Sequence, residues 1–277
     1  MKNQDLKNET YIGEDGLLYC AKCHTPCEKV LPHPLEKGKL WKVHLMCQCE
    51  REAYEKEQAE RAMREFEEMV SRNRMICFHE KKMYEWTFAN DDGKVPAMEK
   101  ARAYVEHWDE VKNKGIGLIL WGGVGTGKTY LAACIANALL KQGKKVLMKD
   151  FTEISNISIF DADAYVNALS AYDLLILDDL GAERASEFAT QNVFNVVNRR
   201  WESGKPLIVT TNKSLDELKQ AEELSEKRIY DRVLAMCTPI YMGGKSKRED
   251  IKKNNYDSLK GIFRKEESHE ERSTDLV

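Results

Sequence analysis

Residues Gly122-Gly123-Val124-Gly125-Thr126-Gly127-Lys128-Thr129 fit the pattern GxxxxGK[ST] without a gap. Ile119-Leu120-Trp121 precedes them, and the run YLAACIANALL (130–140) follows. The first apolar run predicts a strand and the second a helix, with the glycines allowing the tight loop between them. In such a loop the backbone N–H groups converge on phosphate oxygens, and the dipole of the following helix favours the negative charge. Lys128 would then reach the β- and γ-phosphates of a nucleotide, and the Thr129 hydroxyl would sit on Mg²⁺.

Working outward, apolar runs at Leu118–Trp121, Lys145–Met148, Leu174–Leu177, Leu207–Thr211 and Pro239–Met242 alternate with segments of helical length. This alternation predicts an α/β fold with a parallel sheet covered by helices. Leu174-Leu175-Ile176-Leu177-Asp178-Asp179 reads as a buried strand ending in two carboxylates. Ligands of open parallel sheets lie at the carboxyl ends of the strands, so both acids are expected beside the phosphates. Asp178 is the candidate Mg²⁺ holder, and Asp179 the candidate general base for attack of water on the γ-phosphate. Asn212 ends the run PLIVTTN (206–212) and is placed to orient that water. The bland alternatives are a pair of acids capping a turn and a turn-forming asparagine. The order of strands suits ATPases with an inserted strand. Farther on, Arg228 and Arg232 stand four residues apart on one predicted helical face. They either pair with acids such as Asp231 or serve as an arginine finger in a neighbouring subunit's site, which requires self-association.

Composition bounds the rest. At roughly 150 residues per domain, 277 residues make one large domain or one with a small companion. Lysines and arginines number 43 against 46 acids, so any contact with nucleic acid must be a local patch rather than a global attraction. No apolar run approaches the ~20 residues of a membrane span, and the first ten residues have no apolar core of a secretory signal. A cytoplasmic protein without membrane contact is expected. Residues 50–83 carry many charges with neither proline nor glycine, which predicts a long solvated helix, either a connector or a partner-binding element. A second helix is expected from Met98 to Lys112, and the residues from Gly243 read as a polar, locally basic tail.

Cys20-Ala21-Lys22-Cys23 and Cys47-Gln48-Cys49 form two close cysteine pairs separated by about 23 residues. Four thiolates brought together by a loop suit tetrahedral Zn²⁺, and so small a segment can hardly bury a core without a metal. Cys27, His24 and His44 are spare donors, and either histidine could replace a cysteine. Cys77, Cys134 and Cys237 lie in apolar settings and read as core thiols. The lysines at 22, 29, 37, 39 and 42 leave open a DNA-binding ribbon, offset by neighbouring acids.

Together GGVGTGKTYLAACIANALL, DLLILDDLGAE, PLIVTTN and RIYDRV resemble the DnaC/DnaI-type bacterial helicase loaders, with their phage counterparts and the related IstB-like ATPases. The resemblance spans about Trp86 to Met242. It implies an AAA+ core with a reduced C-terminal lid, ATP with Mg²⁺, and delivery of a hexameric replicative DNA helicase onto single-stranded DNA. It implies Walker A roles for Lys128 and Thr129, Walker B roles for Asp178 and Asp179, a sensor role for Asn212, and a finger role for Arg232 with Arg228 beside it. The chain is expected to divide into a zinc module (1–49), which the resemblance makes the part that grips the helicase, a linker helix (50–85), the ATPase domain (86–245) and a tail (246–277). The resemblance also places residues 149–165 where such loaders touch single-stranded DNA, with Phe151 as a stacking platform or a core residue. The adenine pocket is not readable from the motifs, and the 86–90 segment is expected to lie near it. An IstB-like transposition helper and an adaptor that binds ATP without hydrolysing it are the competing functions.

Overall fold

The computed structural model describes residues 9–91, 93, 95–158, 162–181, 187–249 and 252–260, with only the backbone at 162 and 163. The end of the DLGAE run, part of the 149–165 stretch and most of the tail lie outside these residues. The chain forms two compact units that divide between Glu68 and Met69.

The first unit contains two antiparallel hairpins, β1 (Thr10–Ile12) with β2 (Leu18–Cys20) and β3 (Glu28–Pro32) with β4 (Leu40–His44). Its buried cluster consists of Cys20, Cys27 and Cys47, with Leu18, Cys23 and Cys49 packed against them. Apolar side chains such as Leu35 and Leu40 are exposed instead. Cysteines thus occupy the place of a hydrophobic core. Helix α1 (Gln48–Cys77) begins in this unit. Along its exposed length Arg61 pairs with Glu65 one turn on, as a charged sequence in water requires.

The expected helix over 50–83 ends at Cys77 because the residues after it are pulled inward. Cys77, Phe78 and Met83 are buried in the core of the second unit, and residues Lys81–Glu85 form a 3₁₀ turn. The Asn137 side-chain amide donates to the carbonyls of Met83 and Trp86, both at 2.9 Å, and holds that turn in place. The single helix expected over 98–112 is two, α2 (Pro96–Glu106) and α3 (Trp108–Lys114). The break at His107 lets both Tyr104 and Trp108 enter the core, with ring centroids 6.1 Å apart.

The sheet comprises β5 (Gly117–Trp121), β6 (Val146–Asp150), β7 (Leu174–Leu180), β8 (Leu207–Thr211) and β9 (Cys237–Tyr241). All are parallel, in the order β6-β7-β8-β5-β9. The acid strand β7 is therefore separated from the P-loop strand β5 by β8, as the inserted-strand expectation requires. Helix α4 (Lys128–Lys141) and the α2–α3 pair cover one face through Leu131, Ile135, Leu139 and Trp108. Helices α5 (Phe151–Ser155), α6 (Ala162–Leu169), α7 (Glu187–Glu202), α8 (Leu215–Lys219) and α9 (Leu224–Met236) complete the order. Phe151, Val193, Val197, Leu218, Tyr230 and Val233 from these helices fill the second face. Burial on both faces explains why the strands are almost wholly apolar. Phe151 is fully buried in this core, so it is not the exposed base-stacking platform considered from sequence. Among the described residues no helix is long and apolar enough to cross a membrane.

Candidate functional site

The P-loop leaves β5 at Gly122 and enters α4 at Lys128. Gly125 has φ 78°, and a side chain there would collide with the Ser246 hydroxyl, so glycine is required on both counts. The Lys128 ammonium donates to the carbonyls of Gly122 (2.9 Å) and Gly123 (2.7 Å) and to Asn212 Oδ1 (2.7 Å). Burial pulls its pKa down, and the charges of Asp179 and Asp178 act in the opposite direction. Thr126 closes the loop by donating to Gly123 O at 2.9 Å, and Val124 stands exposed at its tip.

The structure brings the sequence-predicted acids to this loop. Asp178 Oδ1 accepts hydrogen bonds from Thr129 Oγ1 (3.1 Å) and Thr210 Oγ1 (2.6 Å). Burial nevertheless holds the Asp178 carboxyl above its ordinary range. Asp179 takes a left-handed backbone with φ 63°. Its N–H donates to Thr210 Oγ1 at 2.9 Å, and its Oδ1 accepts from Asn212 Nδ2 at 3.0 Å. Asn212 thus links the P-loop lysine to the second acid. A hydroxyl and a carboxylate oxygen side by side, with an ammonium nearby, suit a hard cation on nucleotide phosphates.

Two contributors were not evident from sequence. Thr210 is 1% exposed and touches both acids. The TTN spelling contains the clue, because residues 210 and 212 project on one side of a strand and Thr211 on the other. The segment after β9 is the second. Met242 N–H donates to Trp121 O, Lys247 N–H donates to Gly125 O at 2.9 Å, and the Lys247 ammonium lies 6.0 Å from the Tyr130 ring centre. Its first residues stay largely exposed but are tied to the P-loop by that Lys247 amide. The 86–90 segment reaches the same helix, with the Trp86 and Tyr130 rings 5.6 Å apart and the Tyr130 hydroxyl on Thr87 O.

Among the described residues, Arg228 and Arg232 make neither the carboxylate pairing nor a contact with Asp178 or Asp179. Both guanidinium groups lie over the Phe194 ring, at 4.2 and 4.8 Å, and Arg232 Nε donates to Asn198 Oδ1. Arg228 is exposed.

In the first unit, the sulfurs of Cys20, Cys23, Cys47 and Cys49 all lie within 4.8 Å of one another. Cys20 and Cys49 are 3.6 Å apart and Cys47 and Cys49 3.2 Å. Tetrahedral zinc with Zn–S bonds near 2.3 Å requires sulfurs about 3.8 Å apart, so the four donors fit the ion. The Thr25 hydroxyl pulls the Cys23 thiol down, whereas its bond with Cys47 pushes Cys49 up. Cys27 is buried in the same cluster but directs its thiol to Thr25 O. His24 contacts the Tyr11 hydroxyl, and His44 pairs in register with Glu28 on the outer hairpin. Neither histidine belongs to the four-donor set.

Residues 49–255 match the model of the family described as IstB-like ATP binding protein. The chain belongs to that family. It is 32% identical over 187 residues to the replicative helicase loader DnaC of Escherichia coli strain K12, covering 64% of this chain and 72% of that one. To the replicative helicase loader DnaI of Bacillus subtilis strain 168 it is 28% identical over 174 residues, covering 57% and 56%. A crystal structure of the DnaC helicase loader aligns with a TM-score of 0.52 at 23% identity, over 59% of this chain and all of that one. At that identity the structural likeness establishes the AAA+ fold and no more.

Proposed function

We propose that this protein is an ATP-dependent loader of a hexameric replicative helicase onto single-stranded DNA, acting in the cytoplasm. The observation that carries the hydrolytic part is the joined set Lys128, Thr129, Asp178, Asp179 and Asn212. The kinship with DnaC and DnaI supports the partner. Residues 122–129 would cradle the triphosphate, with Lys128 on its terminal phosphates. Thr129 and Asp178 would hold Mg²⁺, which when bound neutralises charge on the phosphate oxygens. Asp179 would take a proton from water as its oxygen bonds to the γ-phosphorus. The bond to the bridging oxygen breaks, and its electron pair leaves on ADP. Asn212 would orient that water.

Arg232 or Arg228 would complete the site of a neighbouring copy, so the ATPase domain (86–245) would self-associate. The zinc module (1–49), held by Cys20, Cys23, Cys47 and Cys49, would grip the helicase, with residues 50–85 as linker and 246–277 as a polar tail. ATP would favour assembly and hydrolysis release. The test is helicase loading onto single-stranded circles coated with binding protein. Wild type should act repeatedly, whereas Asp179→Asn should load once and stay bound. An unchanged cycle in the variant would overturn hydrolysis as the release step. No loading by wild type, together with ATP-driven assembly on bare duplex DNA, would favour a transposition helper.

A further inference from the structure

The ladder between β7 and β8 is regular from Leu175 to Leu177 and resumes shifted at Leu180, so Asp178 and Asp179 occupy a bulge. A bulge removes a residue from strand pairing and leaves a backbone group to be satisfied elsewhere. Here the orphan is the Asp179 N–H, and the Thr210 hydroxyl receives it at 2.9 Å. With its lone pair so engaged, the same hydroxyl gives its one proton to Asp178 Oδ1 at 2.6 Å. That oxygen is also the one facing Thr129 Oγ1. Just past the end of β8, Asn212 grips the Asp179 carboxylate. Asp179 is thereby held in its left-handed conformation at both its amide and its side chain.

We infer that Thr210 is a positioning residue that sets both acids at once, aiming Asp178 at the cation and fixing the backbone from which Asp179 meets water. It touches no reactant. The inference rests on the proposed Mg²⁺-nucleotide site, and it adds a residue to that site's control. A valine fills the same space without the hydroxyl, leaving the Asp179 amide unpaired and one Asp178 hydrogen bond missing. A serine restores both.

The experiment is carried out on the full chain and its Thr210→Val and Thr210→Ser variants. Binding of Mn²⁺ in the presence of a non-hydrolysable ATP analogue is followed by electron paramagnetic resonance, beside phosphate release and thermal melting. Valine should weaken Mn²⁺ binding about tenfold and lower kcat tenfold or more, with the metal-free affinity for the analogue unchanged within about twofold. Serine should stay within about threefold of wild type in every readout. Valine equal to wild type in Mn²⁺ affinity overturns the inference, as does serine falling as far as valine. A wild type that binds Mn²⁺ in this Thr210-dependent manner yet releases no phosphate leaves the positioning role standing and refutes the hydrolytic function. A wild type that hydrolyses ATP with no dependence on the Thr210 hydroxyl does the reverse.

Discussion

Asp179→Asn and Asp179→Ala separate the charge of this residue from its backbone. At φ 63° asparagine is tolerated almost as well as aspartate, and its amide oxygen can still accept from Asn212 Nδ2. The asparagine variant therefore removes only the basic carboxylate. A general base contributes about 10²–10⁴ in rate, or about 3–5 kcal/mol of barrier, and kcat for ATP hydrolysis should fall by that factor with ATP affinity preserved. Alanine loses the same chemistry and adds two structural costs. Aspartate and asparagine tolerate left-handed backbone because their short polar side chains hydrogen-bond locally, an advantage of about 1 kcal/mol that alanine lacks, and the hydrogen bond from Asn212 is worth about 1 kcal/mol more. A loss of about 2 kcal/mol lowers Tm by ~4–8 °C in a domain of this size. Phosphate release, fluorescent-nucleotide binding and calorimetry on the three proteins test this directly. Asparagine keeping more than a tenth of wild-type kcat would refute the general-base role. Alanine melting together with asparagine would refute the account of the strained backbone.

Three further outcomes follow from the geometry. Purified under reducing conditions, the protein should contain about one zinc per chain, and Cys47→Ser should lose it and melt the hairpins, with ATP turnover changed less than twofold. Absence of zinc in elemental analysis would contradict the four-thiolate site. Burial raises the Asp178 pKa, so the folded chain binds that proton more tightly than the unfolded chain does. Stability from this group is full below the ordinary carboxyl value of 3.8 and is lost as pH rises through the raised one. Asp178→Asn should therefore raise Tm of the nucleotide-free protein at neutral pH, the gain vanishing toward pH 4, while Mg²⁺-dependent nucleotide binding disappears. No gain at neutral pH would count against it. Finally, if Arg232 acts across an interface, Arg232→Ala and Lys128→Ala should each be inactive alone and partly active when mixed. A mixture as inactive as its parts would eliminate that role.

Much of the nucleotide-binding unit was legible because its chemistry imposes fixed spacings. A P-loop needs its glycines, lysine and threonine in one octet, and a buried parallel strand ending in Asp178-Asp179 has few other uses. What escaped depends on events that spacing does not record. Thr210 acquires its task only because a register shift frees the Asp179 amide. The residues after Met242 look solvated by composition, yet a single amide from Lys247 ties them to Gly125. Helix α1 stops at Cys77 without a glycine or proline because burial of Phe78 and Met83 outweighs the helical preference of the charged run. By contrast, the two close pairs already set Cys27 apart as a spare donor, and its thiol lies outside the four that converge.

The most direct measurement is the mass of the full chain mixed with its own organism's replicative helicase, by sedimentation, without nucleotide, with ATP and with ADP. The proposed function predicts a defined complex heavier than the helicase ring that forms with ATP and dissociates with ADP. The two proteins sedimenting separately in all three conditions would contradict it.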